Sequence, residues 1–145
     1  ADPTVPGTGA AGGLGFAFLS YMNAVLEPGA SIVLEETSLE SFIRDSDIVI
    51  TGEGRLDGQT AMGKAPVGIA KRAKEKDCMV LVFAGSIEPQ GVRKVQDEMQ
   101  LVDGAFPILP GVMTLEEAMQ KTVAYENMSY TAEQVFRLIG NCYIK

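Results

Sequence analysis

The sequence contains no histidine, no tryptophan and only two cysteines in 145 residues. Without histidine, the chain cannot build a Ser-His-Asp triad, an imidazole base or a histidine ligand to a metal. Cys78 and Cys142 are too few for a structural zinc site and show no C-x-x-C spacing, so we interpret them as two reduced thiols. These absences exclude histidine-dependent hydrolysis and a structural zinc site within this chain.

Positive charge and long apolar runs are also scarce. Twelve Lys and Arg stand against 19 Asp and Glu, which gives a net charge of -7 and no local basic patch. This charge repels phosphate backbones, so we expect no nucleic-acid partner. The longest apolar stretches are shorter than the roughly 20 residues that span a bilayer, and the start lacks the basic region of a signal peptide. We therefore expect no membrane association and a cytoplasmic location.

What is present, 46% hydrophobic and 21% charged residues, is typical of a globular domain with its own core. Apolar periodicity predicts strands that alternate with helices, which favours an α/β fold with a mostly parallel sheet flanked by helices. A long polar loop is predicted for residues 52–63. The predicted helices cover residues 14–25, 37–44, 64–76, 92–99 and 114–139, and the predicted strands cover residues 31–36, 47–51, 79–84 and 104–108.

The first glycine-rich segment, GTGAAG from Gly7 to Gly12, fits the dinucleotide fingerprint G-x-G-x-x-G. Glu35 and Glu36 follow at about the distance of a ribose-binding acid, which favours a nicotinamide-dependent oxidoreductase. The fingerprint needs a preceding strand, however, and six residues with two prolines cannot supply one. A second interpretation is a turn whose N-H groups bind a phosphate or carboxylate, and a third is that residues 10–15 are small only to allow close helix packing.

The second glycine-rich segment, residues 58–65, nearly matches the P-loop G-x-x-x-x-G-K-[ST]. Ala65 stands where the hydroxyl that binds Mg²⁺ must be, so we reject a true P-loop. Lys64 beside Gly63 at a predicted helix N-terminus still favours an anion site. The alternative is that Lys64 is an ordinary solvated lysine.

Residues 52–60, GEGRLDGQT, are the strongest candidate site. They place two carboxylates, a guanidinium, an amide and a hydroxyl just beyond a predicted buried strand, where open α/β sheets bind ligands. The alternative is a surface loop with turn-forming glycines and an ion pair. The side chains concerned are Glu53, Arg55, Asp57, Gln59 and Thr60.

Three segments in this order and spacing, PGTGAAGGLG, DIVITGEGRLDGQT and GKAPVGIAKRAK, resemble the bacterial type I glycerate kinase family. The resemblance implies ATP-dependent and Mg²⁺-dependent phosphorylation of D-glycerate, usually at its 2-hydroxyl. It also implies a two-lobed protein with one flavodoxin-like, Rossmann-like three-layer lobe, of which residues 1–145 are an incomplete C-terminal portion. The lobe boundary is expected between residues 29 and 56, and we expect the fragment to be inactive alone and to self-associate through the surface that the missing lobe leaves.

Under this resemblance, Asp57 or Glu53 accepts the hydroxyl proton of glycerate or holds Mg²⁺. Arg55 and Lys64 bind the substrate carboxylate or the transferred phosphoryl group, because phosphoryl transfer depends on positioning and charge neutralisation. Gln59, Thr60 and Arg55 are the expected substrate-binding residues. The expected phosphate-binding residues are Gly7, Thr8, Gly9, Gly12, Gly13 and Gly63. A nicotinamide-dependent oxidoreductase and a non-catalytic small-ligand-binding domain are the competing classes.

Overall fold

The structure is a computed structural model that describes residues 1–62 and 64–143. The chain forms two compact units, Ala1–Glu40 and Ser41–Lys145. The division between them falls inside the range 29–56 in which we expect the lobe boundary. Whether this division is also the lobe boundary of the larger protein stays a prediction.

The first unit contains helices α1 (Ala10–Tyr21) and α2 (Gly29–Glu36), and helix α3 (Leu39–Ile43) begins in it. The first turn of α1 is irregular, since Ala11, Gly12 and Gly13 have φ of 50°, 68° and 96°. Regular right-handed helix therefore begins at residue 14, as the apolar spacing predicts.

The predicted strand at residues 31–36 is wrong, because this segment is helix α2. A strand must find a neighbouring strand for its N-H and C=O groups, whereas a helix pairs them within the segment. Pro28 precedes the helix in an extended conformation, and only Leu34 in it is buried. Thr37 closes α2 by donating its hydroxyl to the Val33 carbonyl at 2.8 Å, and the short helix that we expected after it begins at residue 39.

The second unit contains a three-stranded parallel sheet in the order β1 (Ile48–Leu56), β2 (Met79–Ile87) and β3 (Gly104–Pro107). Helix α4 (Ala65–Lys74) connects β1 to β2, while α5 (Pro89–Arg93) and a π-helical turn (Lys94–Glu98) connect β2 to β3. The central strand carries the core, since residues 80–84 are all buried. The α/β class with a parallel sheet flanked by helices is confirmed.

Strand β1 extends five residues further than the sequence predicts, so the expected loop at residues 52–63 is wrong over its first part. Glycine explains the difference. A Cβ on Gly52 would lie 2.6 Å from the Phe83 carbonyl oxygen, and one on Gly85 would lie 2.6 Å from the Gly54 carbonyl oxygen. These glycines allow two backbones to approach closely rather than forming turns. Strand β2 likewise continues through Gly85 to Ile87.

The predicted continuous helix at residues 114–139 is two helices, α6 (Leu115–Ala118) and α7 (Lys121–Tyr143). Thr114 starts α6 with a capping box, in which its hydroxyl accepts from the Glu117 N-H and its own N-H donates to the Glu117 carboxylate. Val135 of α7 packs with Leu81 and Phe83 of β2. Packing against the sheet therefore holds α7 in place, so α7 does not depend on being a continuation of α6.

Several large apolar side chains of α7 are exposed, including Tyr125 and Leu138. Self-association through such surfaces stays a prediction. Across residues 1–62 and 64–143, no helix is both long and apolar enough to cross a bilayer.

Asp103, one residue before β3, joins three elements of the second unit. Its Oδ2 atom accepts hydrogen bonds from the Val80 N-H at 2.6 Å and from Lys74 Nζ at 2.5 Å. Partial burial opposes the charge, but the bonds from Lys74 and Val80 outweigh it and hold the pKa of Asp103 below its ordinary value. The folded state therefore favours the ionised carboxylate.

We expect Asp103→Asn to lower the free energy of unfolding at pH 7 by about 1 kcal/mol, since the bonds are charge-assisted but partly solvated. A pKa lowered by folding stabilises the protein above the unfolded value, and this stabilisation is lost as pH falls through the folded value. The difference between wild type and variant should therefore shrink in acid. Urea unfolding at several pH values measures it, with exposed Asp97→Asn as the control; an equal difference at every pH would contradict the assignment.

Candidate active site

Asp57 directly follows β1 and begins a tight turn. Its Oδ1 atom accepts the Gln59 N-H at 2.9 Å, and its carbonyl oxygen accepts the Thr60 N-H at 3.1 Å. The Asp57 N-H in turn donates to the Thr60 hydroxyl at 3.1 Å. The bond from the Gln59 N-H, aided by the nearby charge of Lys64, holds the pKa of Asp57 below its ordinary value despite desolvation. Asp57 is therefore an ionised carboxylate with a fixed direction.

Thr60 and Gln59 have different places in this turn. Thr60 is 1% exposed, and its hydroxyl is bonded to the Asp57 backbone, so it holds the turn instead of facing solvent. The Gln59 side chain is exposed and open to a ligand.

Glu53 and Lys64 lie beside Asp57. Lys64 Nζ is 3.6 Å from Asp57 Oδ1 and 4.0 Å from Glu53 Oε2. Lys64 immediately precedes helix α4, and its side chain is 43% exposed, whereas that of Glu53 is 13% exposed. The structure thus brings together three of the four residues that we predicted to be catalytic.

The second carboxylate oxygen of Glu53, Oε1, is buried and has no hydrogen-bond partner among the described residues. A buried polar atom without a partner is costly, and in native proteins it commonly marks a place where a ligand or ion completes the arrangement. This atom therefore needs a cation or a hydrogen-bond donor from outside the described residues.

Arg55, the fourth predicted catalytic residue, points elsewhere and forms an ion pair with Glu88. Glu88 follows β2 as Asp57 follows β1, and its N-H donates to the Leu56 carbonyl at 2.8 Å. The hydrogen bond and charge of Glu88 raise the pKa of Arg55 above its ordinary value. Glu88 is not among the residues predicted from the sequence, although its position after a parallel neighbouring strand is a usable signal.

The carboxylates of Glu53 and Asp57 fit one particular way of binding a magnesium ion. The described residues contain no group of three or more Asp, Glu, Cys or His that could cage a metal. Mg²⁺, however, commonly keeps several waters and is held by one or two carboxylates together with substrate phosphates. Asp57 or Glu53 therefore supplies oxygen of the right chemistry for such an ion, which leaves the other carboxylate available for a second role.

The glycine-rich turn at residues 7–15 belongs to the first unit. Thr8 is buried and donates its hydroxyl to the carbonyls of Pro3 and Val5, both at 2.8 Å, so its hydroxyl is engaged within the turn. A Cβ on Gly15 would lie 2.3 Å from the Gly7 carbonyl oxygen, which supports the close-packing interpretation at that position. Around Gly9, Gly12 and Gly13 the space is open, and their backbone can approach a ligand. Gly63 lies outside the described residues.

The dinucleotide interpretation requires strands that the described part of the first unit does not contain. Residues 1–6 form turns and bends with no strand among them, and Glu35 and Glu36 lie in helix α2 rather than at the end of a strand. The fingerprint depends on both strands. Nothing in the described part of the first unit therefore supports a nicotinamide site.

Three comparisons with known proteins agree. A sequence model of the glycerate kinase family matches residues 2–140. The glycerate kinase of Bacillus subtilis strain 168 is 45% identical over 129 residues, which cover 89% of this chain and 32% of that protein. The glycerate 2-kinase of Escherichia coli K12 is 39% identical over 132 residues, covering 90% and 33%.

The crystal structure of a protein provisionally named glycerate kinase 2 from Salmonella typhimurium LT2 has a similar fold. The TM-score is 0.63 at 35% sequence identity, over 93% of this chain and 33% of that one. The chain spans about a third of the length of the curated relatives that it matches. Since the family model matches nearly all of the sequence, the chain belongs to the glycerate kinase family.

Proposed function

We propose that the complete protein in which this sequence occurs transfers the γ-phosphoryl group of ATP to the 2-hydroxyl of D-glycerate. The observation that carries the proposal is the cluster of Glu53, Asp57 and Lys64 at the carboxyl end of β1, with an unpaired buried oxygen on Glu53. The name of the Escherichia coli relative, glycerate 2-kinase, favours the 2-hydroxyl. The cytoplasm, which supplies ATP, is the proposed location.

The two carboxylates take different roles in this proposal. The low pKa of Asp57 makes it a weak base, which suits a ligand that stays ionised beside a cation. Mg²⁺ held by Asp57 would neutralise charge on the phosphates of ATP. The unpaired Oε1 atom of Glu53 accepts a hydrogen bond from the glycerate hydroxyl. It takes up the hydroxyl proton as the phosphoryl group is transferred.

The two cations bind negative groups of the substrates. Lys64 brings the positive charge of its ammonium to the cluster, so we propose that it stabilises the transferred phosphoryl group. Arg55 has a planar guanidinium that matches a carboxylate, so it is the candidate for binding the carboxylate of glycerate. The glycerate carboxylate would compete with Glu88 for this guanidinium.

The remaining polar groups position the ligands. Gln59 is exposed beside Asp57 and can hydrogen-bond to glycerate, whereas buried Thr60 acts through the turn. We propose that the open backbone at Gly9, Gly12 and Gly13 contributes N-H donors to a phosphate group. Phosphate binding by Gly7 and Gly63 stays a prediction from the sequence.

Phosphorus NMR of Mg-ATP with D-glycerate tests the function directly. We expect a phosphoglycerate signal from the complete natural protein, with a chemical shift that identifies the 2-hydroxyl, and no signal from residues 1–145 alone. Intact ATP with the complete protein would overturn glycerate as the substrate and favour a non-catalytic small-ligand-binding domain. A sample without glycerate controls for hydrolysis of ATP.

Asp57→Asn tests the metal role. We expect the Mg²⁺ concentration for half-maximal rate to rise at least about tenfold, and turnover at moderate Mg²⁺ to fall more than about tenfold, a loss above ~1.4 kcal/mol of transition-state stabilisation. Asp97→Asn, at an exposed position outside the cluster, should match wild type. Turnover within tenfold of wild type would remove Asp57 from the catalytic residues.

Glu53→Gln tests the proton-accepting role. The amide keeps the shape of the side chain but cannot take up a proton, so we expect kcat to fall by roughly 100-fold, as is typical on loss of a general base. The Mg²⁺ requirement should stay unchanged, and Glu98→Gln is the matched control. If the Mg²⁺ requirement rises in this variant and not in Asp57→Asn, the two carboxylates have the opposite roles.

A further inference from the structure

Gly91 is a buried glycine in the short helix α5. A Cβ at this position would lie 2.6 Å from the carbonyl carbon of Asp57, 2.7 Å from its Cα and 2.8 Å from its carbonyl oxygen. Real Cβ atoms essentially never approach other heavy atoms below 3.0 Å. All three atoms belong to the backbone, so they cannot move aside as the end of a flexible side chain can.

The backbone of Asp57 is held from two sides. On one side, its N-H and carbonyl are bonded to Thr60, and its carboxylate is bonded to the Gln59 N-H. On the other side lies Gly91, and α5 is held there because Glu88, the residue before it, bonds to the carbonyl of Leu56. Any displacement of the Asp57 backbone by α5 would therefore disturb the bonds that direct the carboxylate.

We propose that Gly91 is a positioning residue for the phosphoryl transfer. Its missing side chain lets α5 pack directly on the Asp57 backbone and so fixes the direction of the Asp57 carboxylate. The catalytic consequence of this inference rests on the proposed function. The packing of α5 on the Asp57 backbone is independent of that function. Gly91 touches neither the transferred group nor the proposed metal, and acts only through Asp57.

Gly104 provides a matched control in the same unit. A Cβ there would lie 2.7 Å from the Phe106 ring and 3.2 Å from Leu81 Cδ2, so Gly104→Ala also crowds the core. The crowded atoms are side chains near β3, however, and Asp57 is not among them. Loss of stability alone should affect both variants, whereas loss of Asp57 geometry should affect only Gly91→Ala.

Amide hydrogen exchange and steady-state kinetics are measured on the complete natural protein and on the same protein carrying either Gly91→Ala or Gly104→Ala. In Gly91→Ala, we expect the amides of Gln59 and Thr60 to exchange about tenfold faster. We also expect kcat to fall by about tenfold or more, with the Mg²⁺ requirement raised as in Asp57→Asn. In Gly104→Ala, both amides and kcat should match wild type. A crystal structure of the wild-type protein, with van der Waals contact between Gly91 and the Asp57 backbone, keeps the packing testable if Gly91→Ala does not fold.

Three results would overturn the inference: unchanged amides in Gly91→Ala, equal acceleration of the amides in Gly104→Ala, or altered amides with an unchanged kcat. A wild-type structure in which α5 and Asp57 are not in contact would also overturn it. If the wild-type protein does not phosphorylate glycerate, the proposed function fails, while the exchange measurement still decides whether Gly91 fixes the Asp57 turn.

Discussion

The close backbone pairing of β1 with β2 is the constraint on which the candidate site depends. Gly52 and Gly85 allow each strand to approach the carbonyl of the other, and the pairing continues to Leu56 and Ile87. Because the strands are parallel, both of them end at the same edge of the sheet. Asp57 and Glu88 are therefore neighbours although they are 31 residues apart in the sequence. A side chain at either glycine would separate the strands where they carry the functional groups.

This pairing also changes what kind of site the sequence encodes. On a loop, Glu53 and Arg55 would be free to rearrange, but on a paired strand their spacing and direction are fixed by the sheet. Only the segment after Leu56 is a turn, and its bonds to Gln59 and Thr60 hold Asp57. Rigid elements hold charged groups in place without reorganisation during the reaction, which is the condition for effective electrostatic stabilisation.

The sequence predicted which charged residues lie together better than it predicted the local structure. Glu53, Asp57 and Lys64, which the structure brings together, were predicted from residue type and motif, because charged groups after a buried strand are a local signal. The conformation of residues 52–56 was not, because a glycine that allows close approach and a glycine that forms a turn are the same letter. Local apolar spacing likewise could not decide residues 31–36, which form a helix in a unit whose described residues contain no strand to pair with. The role of Gly91 depends on a contact across 34 positions of sequence, which no local pattern contains.

The composition of the cluster also indicates how its substrates would combine. Two carboxylates and one ammonium leave a single negative charge in a partly buried site, where one carboxylate oxygen has no partner in the part of the chain that the structure describes. Such a site attracts a cation, yet it offers too few ligands to hold Mg²⁺ against its own hydration, because Mg²⁺ dehydrates reluctantly. The phosphates of a nucleotide would supply the missing oxygens. Within the proposed function, the metal is therefore expected to arrive with ATP rather than to reside on the protein.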